Sequence, residues 1–280
     1  MKAPDFDYER PNTLAAALAL LADGDGAAEP LAGGQSLMPM MNFRLAAPDV
    51  LVDLNAISEL SGITVEDGWI RIGATTRYCE LEASEELCAA MPLFPKVLPH
   101  VAHAAIRNRG TIGGSIALAD PAAEMPALVL VLGGEIVLQN ATGQRTVPAD
   151  DFFLGIFDTE REPDELVVEV RLPVAEHSQR FGFHEIVRRH GDYAMAGCMI
   201  TASMTLDTVR ITLFGVADRP VRADLAEAAL AGSDGGAAAI DAAIDALSDL
   251  EFEADLNAAE NTKHHLAGVA LRRAWAEVLT

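Results

Sequence analysis

The chain has 280 residues, half of them apolar, with 20 Lys and Arg against 42 Asp and Glu, a formal net charge of −22. A chain this long and this apolar can bury a sizeable core, which excludes wholesale disorder. The acidic balance excludes a nucleic-acid partner and docking on an anionic membrane, since both need a Lys/Arg footprint.

Lys occurs only at Lys2, Lys96 and Lys263, so a phosphorylated ligand would be held largely by backbone N–H groups. Cys79, Cys88 and Cys198 are odd in number and widely spaced. They form neither a disulfide framework nor a metal or iron–sulfur ligand set, and reduced thiols in the cytoplasm are expected. The start, MKAPDFDYERP, carries acids where a secretory signal is basic, and the apolar run Leu14–Ala22 is too short to span a membrane. The expectation is a soluble cytoplasmic protein.

In chain order, Thr13 is placed to cap a helix that stops near Gly24. A short strand ends at Gly33-Gly34, a loop or short helix covers 36–43, and VLVDLN at 50–55 is a buried strand. These make a β-α-β-like unit. Ile63–Val65 and Trp69–Ile72 form a hairpin around Asp67-Gly68. Helices are expected over 78–90 and 93–105, then a glycine-bearing loop over 107–115 and a helix over 122–132. A hairpin over 135–139 and 145–147 and a strand over 166–172 follow. Composition shifts at AEHSQR, where the boundary between domains 1–176 and 177–280 is placed. Beyond it come strands near 181–188, 195–206 and 208–217, then helices over 223–231, 236–247 and 262–279. The fold class is α+β.

Four Gly-Gly pairs occur, and such pairs usually mark turns. Two share flanking hydroxyls: Ala32-Gly33-Gly34-Gln35-Ser36 and Thr111-Ile112-Gly113-Gly114-Ser115. A pyrophosphate needs convergent N–H groups, close backbone approach and a nearby hydroxyl donor. Two such loops suit a clasp around one dinucleotide, while ordinary turns account for the same residues. No G-x-G-x-x-G and no Walker A lysine is present, which sets aside a Rossmann dehydrogenase and a P-loop NTPase. Ser36 and Ser115 lack the second glycine of a nucleophile elbow.

The seven histidines lack metal-ligand spacing, and solvated surface positions are expected for them, His100 and His264-His265 among them. Asp120 before Pro121 suits a helix N-cap, with Glu124 in the first turn. Alternatively, one of these acids accepts from a ribose hydroxyl. Arg188–Tyr193 is a surface turn, or a loop that presents Tyr193 to a ring system. Arg107 or Arg109 would offer local positive charge to a dianionic ligand against the acidic far field.

Together, LAGGQSLMPMMNFRLAAPDVLVDLNAI and IRNRGTIGGSIALADPAAEMPALVLVLGGEI resemble the FAD-binding medium subunit of aerobic carbon monoxide dehydrogenase and related molybdenum hydroxylases. ELVVEVRLP, HGDYAMAG and GVADRPVRADLAEAAL follow in the family's order, so the resemblance covers nearly the whole chain. It implies a two-subdomain FAD domain of vanillyl-alcohol-oxidase (PCMH) type and a C-terminal domain of a three-stranded antiparallel sheet with helices.

FAD would lie between the subdomains, its pyrophosphate on Ala32, Gly33, Gly34, Gln35 and Ser36 and on Thr111, Ile112, Gly113, Gly114 and Ser115. Asp120 and Glu124 would stand near sugar hydroxyls, Glu124 where the family usually has Asp. Tyr193 would cover the flavin ring. Other departures are Leu118, Glu185 where Lys is frequent, and Thr262-Lys263 in place of Tyr-Arg. The resemblance implies a large molybdenum-cofactor subunit and a small [2Fe–2S] subunit as partners in a dimer of heterotrimers. Electrons would pass from the clusters through FAD to an acceptor, with no catalytic acid, base or metal ligand on this chain. A self-sufficient flavin oxidase or dehydrogenase and an FAD-free scaffold are the alternatives.

Overall fold

The computed structural model describes residues 2–24 and 26–280. The first unit is parallel: β1 (Asp7–Glu9), α1 (Leu14–Asp23), β2 (Ala28–Leu31), α2 (Leu37–Phe43) and β3 (Val50–Asp53), with sheet order β1-β3-β2. Thr13 caps α1 by accepting from the Ala16 N–H at 3.3 Å. The helix buries Ala17, Leu18 and Leu21 in a small core that also holds Val52, Leu54 and Leu166. That core ties the parallel unit to the next sheet.

The second unit opens with the hairpin β4 (Ile63–Glu66) and β5 (Trp69–Gly73). Short helices follow: α3 (Tyr78–Ala83), α4 (Glu85–Ala90), α5 (Leu93–Val97), α6 (Ala104–Arg107), α7 (Ile112–Leu118) and α8 (Glu124–Val131). Then come β6 (Glu135–Gln139), β7 (Gln144–Pro148), α9 (Ala149–Phe152), the small hairpin β8 (Phe153–Gly155) and β9 (Asp158–Thr159), and β10 (Leu166–Pro173). The last strand returns to the centre of an antiparallel sheet, β4-β5-β10-β6-β7. This is why Val170 and Leu172 are fully buried.

The third unit is an antiparallel sheet, β11 (Gln179–Ile186), β12 (Ala196–Ser203), β13 (Val209–Phe214) and β14 (Val221–Arg222), with α10 (Asp224–Leu230), α11 (Ala237–Asp245) and α12 (Glu260–Val278). The helices α5 and α8 of the preceding unit pack on this sheet, as do α10 and α12. Phe181, Phe183, Met199 and Phe214 accordingly share one core with Leu93, Leu128 and Val129 of the preceding unit.

Several details differ from the sequence reading. The 78–90 stretch breaks at Ser84, whose Oγ accepts from the Leu87 N–H at 3.2 Å and starts α4 anew. The 93–105 stretch is interrupted by a 3₁₀ turn at Leu98–His100 and by Ala102, which has φ of +46°. The 107–115 loop already contains the first turn of α7, because the Thr111 hydroxyl caps it. Asp120 does not cap α8; Ala123 occupies that position, and Asp120 accepts from the Ala122 N–H at 2.9 Å in a local turn. A two-residue edge strand, β14, joins the three expected strands. His100 and His264 are not simply solvated: His100 pairs with buried Glu185 at 2.9 Å, and His264 stacks edge-on against Phe252.

Candidate functional site

A cleft of about 580 Å³ lies where the first two units and the turn before β12 meet. Among the thirteen site residues expected from the sequence, twelve line it: Ala32, Gly33, Gly34, Gln35, Ser36, Thr111, Gly113, Gly114, Ser115, Asp120, Glu124 and Tyr193. Ile112 does not. Its side chain is fully buried in the core, and its N–H donates to the Thr76 carbonyl at 3.1 Å.

The two glycine loops touch. A Cβ on Gly33 would overlap the Arg109 carbonyl oxygen and sit 2.8 Å from Gly110 Cα, so only glycine allows this approach. A Cβ on Gly114 would sit 3.8 Å from Ala32 Cβ. Gly34 has φ of +70°, a conformation that glycine adopts at no steric cost.

The first loop turns its donors outward. The Asn55 side-chain amide donates to the Ala32 carbonyl at 2.9 Å, and the Gln35 amide donates to the Gly33 carbonyl at 2.9 Å. Within a planar trans peptide the N–H points opposite to the C=O. Fixing those carbonyls therefore fixes the Gly33 and Gly34 N–H groups. Among the described residues, the N–H groups of Gly33, Gly34, Gln35 and Ser36 have no protein acceptor. The Ser36 hydroxyl makes no capping bond. Four N–H groups and a hydroxyl in one turn make a nest for an anion.

The second loop spends its donors on its own fold. The Gly113 N–H donates to Ala74 O at 2.9 Å, the Gly114 N–H to Thr111 Oγ1 at 3.2 Å and the Ser115 N–H to Thr111 O at 3.2 Å. A Cβ on Gly113 would overlap the Ala74 methyl and sit 2.7 Å from its Cα, so this glycine serves packing.

The titratable groups of the cleft are mostly acids. Burial pushes the Glu29 carboxyl up, with Arg161 opposing the shift. Burial also raises Asp120, against the Ala122 N–H and the Tyr193 hydroxyl. Glu124 is 6% exposed and is pushed up to about 8, first by burial and then by the charges of Glu185 and Asp120. Glu165 stays ionised: burial would raise it, but Arg145 at 2.7 Å outweighs that and holds it low.

The Tyr193 ring is 59% exposed, while its hydroxyl is turned toward the acids and pushed up to about 12 by burial, Asp120 and Glu124. Burial likewise raises Tyr78, with Ser115 opposing the shift.

Sequence reasoning missed Glu29, Tyr78, Phe157, Arg161 and Glu165, all of which line the cleft. The positive charge at the cleft is not Arg107 or Arg109. Arg107 is committed to Glu82 at 2.9 Å and to the Val101 and Ala102 carbonyls, and Arg109 does not line the cleft. Arg161 supplies the guanidinium instead. Phe157 ends the apolar run Phe152–Phe157, which gave no sign of a site, and it holds φ of +54°.

The residues fit an elongated dinucleotide. An outward N–H nest suits a pyrophosphate, the glycines leave no side chain in the way, and an exposed aromatic stands at the Asp120–Glu124 end.

Comparison with known proteins agrees. Residues 4–175 match the FAD binding domain in molybdopterin dehydrogenase, and residues 181–278 match the CO dehydrogenase flavoprotein C-terminal domain. The carbon monoxide dehydrogenase medium chain of Hydrogenophaga pseudoflava is 37% identical, over 98% of this chain and 97% of its own length. The 6-hydroxypseudooxynicotine dehydrogenase complex subunit alpha of Paenarthrobacter nicotinovorans is 41% identical, over 81% of this chain and 78% of its own. A solved carbon monoxide dehydrogenase from Hydrogenophaga pseudoflava superposes with a TM-score of 0.96 at 39% identity, covering 99% of this chain and 98% of that one. This acidic chain, with its paired glycine loops, belongs to the FAD-binding medium subunits of the molybdenum hydroxylases.

Proposed function

We propose that this chain relays electrons between [2Fe–2S] clusters of a small partner subunit and an external acceptor, with FAD held between its two glycine loops. A large molybdenum-cofactor subunit would oxidise the substrate, and the assembly would be a dimer of heterotrimers in the cytoplasm. The observation that carries the cofactor reading is the outward N–H nest of Gly33–Ser36 set directly against the second loop.

When bound, FAD supplies exchange between two-electron and one-electron chemistry, and the protein contributes binding and electrostatics. In this reading Gly33, Gly34, Gln35 and Ser36 donate to the pyrophosphate, and Ser36 adds its hydroxyl. Thr111 and Gly113 hold the opposite wall in place, and Gly114 keeps it clear of side chains. Asp120 and Glu124 meet sugar or ring atoms, and Tyr193 covers the flavin. Arg161 offsets part of the cofactor's negative charge. No residue acts as a nucleophile.

We place the boundary between domains 1–176 and 177–280, a reading supported by family matches that end at residue 175 and resume at residue 181. The three cysteines are free thiols, which suits a reducing compartment. The two relatives are named for carbon monoxide and 6-hydroxypseudooxynicotine, which are unlike molecules. Specificity for the oxidised substrate is accordingly assigned to the large partner.

The test is a visible absorption spectrum of the chain before and after incubation with FAD and desalting. Retained flavin absorption that vanishes in Gly114→Asp is the expected result. A folded wild-type chain that stays colourless would overturn the cofactor site. Co-purification with an iron–sulfur subunit and a molybdenum subunit, followed by stopped-flow flavin reduction by substrate, tests the relay.

A further inference from the structure

The donors of the first loop are aimed by side chains that do not reach the cleft. Asn55 and Asp53 are both absent from its lining. What brings them to the loop is the sheet. β3 is the central strand of the parallel unit, with β1 on one side and β2 on the other. In this register Leu31, the last residue of β2, lies beside Asp53, the last residue of β3. The Ala32–Ser36 loop therefore leaves its strand next to the 3₁₀ turn Leu54–Ala56 that follows β3. From the other side, Tyr8 of β1 reaches the same strand end.

Asn55 uses its side-chain amide in two directions. It donates to the Ala32 carbonyl at 2.9 Å and to Asp53 Oδ1 at 2.6 Å. The same Asp53 oxygen accepts from the Asn55 backbone N–H at 2.9 Å. The other oxygen accepts from the Tyr8 hydroxyl and faces Arg10 Nε at 3.6 Å. Asp53 is a buried carboxylate; burial would raise it, but Tyr8, Asn55 and Arg10 hold it low. Turned over, the Asn55 amide would set its oxygen against two acceptors, the Ala32 carbonyl and the Asp53 carboxylate. The carboxylate thus leaves Asn55 one orientation. The Gln35 amide, by contrast, bonds within its own loop.

We propose that Asn55 is the positioning residue of the anion nest, and that Asp53, steadied by Tyr8, holds its amide in the one orientation that turns the Gly33 N–H to the cleft. This rests on the FAD pyrophosphate occupying that nest. The peptide joining Ala32 to Gly33 is planar, so a fixed carbonyl on one side is a fixed donor on the other. The nest is then set before a ligand arrives, which lowers the ordering cost of binding. β1 thereby serves the cofactor site, although no residue of it lines the cleft.

The experiment has two arms. In the first, the full chain without FAD carries ¹³C in the alanine carbonyls and ¹⁵N in the glycines, which picks out the Ala32–Gly33 peptide. Asn55→Ala and Asp53→Asn should each move its carbonyl and N–H resonances and leave those of Gly113 and Gly114 in place. Resonances that stay put in Asn55→Ala overturn the proposal.

In the second arm, FAD affinity is measured by flavin fluorescence, with folding checked by circular dichroism. Asn55→Ala should weaken binding about tenfold, and Asp53→Asn by a similar factor. The double variant should bind no more weakly than Asn55→Ala alone, since Asp53 acts through Asn55. Losses that multiply overturn the role of Asp53, and an unchanged affinity in folded Asn55→Ala overturns the whole proposal. Should Asp53→Asn fail to fold, Tyr8→Phe, at a half-exposed site, replaces it in the same cycle with an expected loss of about threefold. A wild-type chain that binds no FAD refutes the cofactor reading and leaves the positioning of the Ala32–Gly33 peptide decided by the first arm.

Discussion

The two glycine loops share a sequence pattern and divide the labour. In Ala32–Ser36 the carbonyls are tied down by Asn55 and Gln35, and the N–H groups are left to the cleft. In Thr111–Ser115 the N–H groups are used by Thr76, Ala74 and Thr111, and what faces the cleft is a smooth wall. Glycine is required in both for close approach, but the thing approached differs. Gly33 leans on the backbone of the other loop, and Gly113 leans on Ala74 beneath the helix. A Gly-Gly pair with flanking hydroxyls is thus not a unit of function. Which half of each peptide is already satisfied decides whether the motif binds a ligand or shapes a surface.

The sharpest way to break this comparison is to put a charge on the smooth wall. In Gly114→Asp the new Cβ meets Thr111 Oγ1 at 2.9 Å, so it presses on the α7 cap, worth about 1 kcal/mol, and otherwise has room. The chain should fold, and its carboxylate should repel the pyrophosphate, so FAD retention after desalting falls to nothing while circular dichroism is unchanged.

Next in size are the two packed glycines. Gly113→Ala drives a methyl into Ala74, and overpacking of this kind costs about 1–3 kcal/mol. The measurement is a urea midpoint with and without FAD, and the loss should be the same in both. Gly33→Ala presses on the Arg109 carbonyl and separates the loops, so its loss should be larger with FAD present. Equal losses for Gly33→Ala in both conditions would mean that the first loop is also only a wall.

The hydroxyls offer a smaller, reciprocal contrast. Thr111→Ala removes the cap of α7 and should cost about 1 kcal/mol of stability with little change in FAD affinity. Ser36→Ala removes no cap and should leave stability unchanged, while FAD affinity falls several-fold through the loss of one donor.

Most of what the sequence disclosed was local. The α1 cap at Thr13 and the hairpin at Asp67-Gly68 are short-range patterns, and they hold, while the 33–36 and 111–115 loops come together on one cleft. The failures are long-range. Ile112 sits inside the motif, yet the bridge between Arg77 and Thr111 turns it into the core. Arg161 and Phe157 come to the cleft only because β10 returns to the middle of its sheet. Asp120 read as a cap from its Pro121 neighbour, but the helix begins at Glu124, and the acid is left at the cleft. His100 looked solvated because its partner Glu185 lies 85 residues away, in another unit.

The last contrast concerns that region, and it is read from stability rather than from binding. Glu124 is raised in the folded state from 4.5 to about 8, chiefly by burial. Between those values the folded chain holds a proton that the unfolded chain has released. Stability is therefore complete below about pH 4.5 with respect to this group and declines as pH rises toward 8. In Glu124→Gln nothing is released, so the decline in thermal midpoint from pH 6 to pH 8 should be shallower than in wild type. Burial also raises Asp120 and Glu29, and each adds a decline of the same sign above its ordinary carboxylate range. A Glu124→Gln curve parallel to wild type would show that the acid at the cleft is ionised after all.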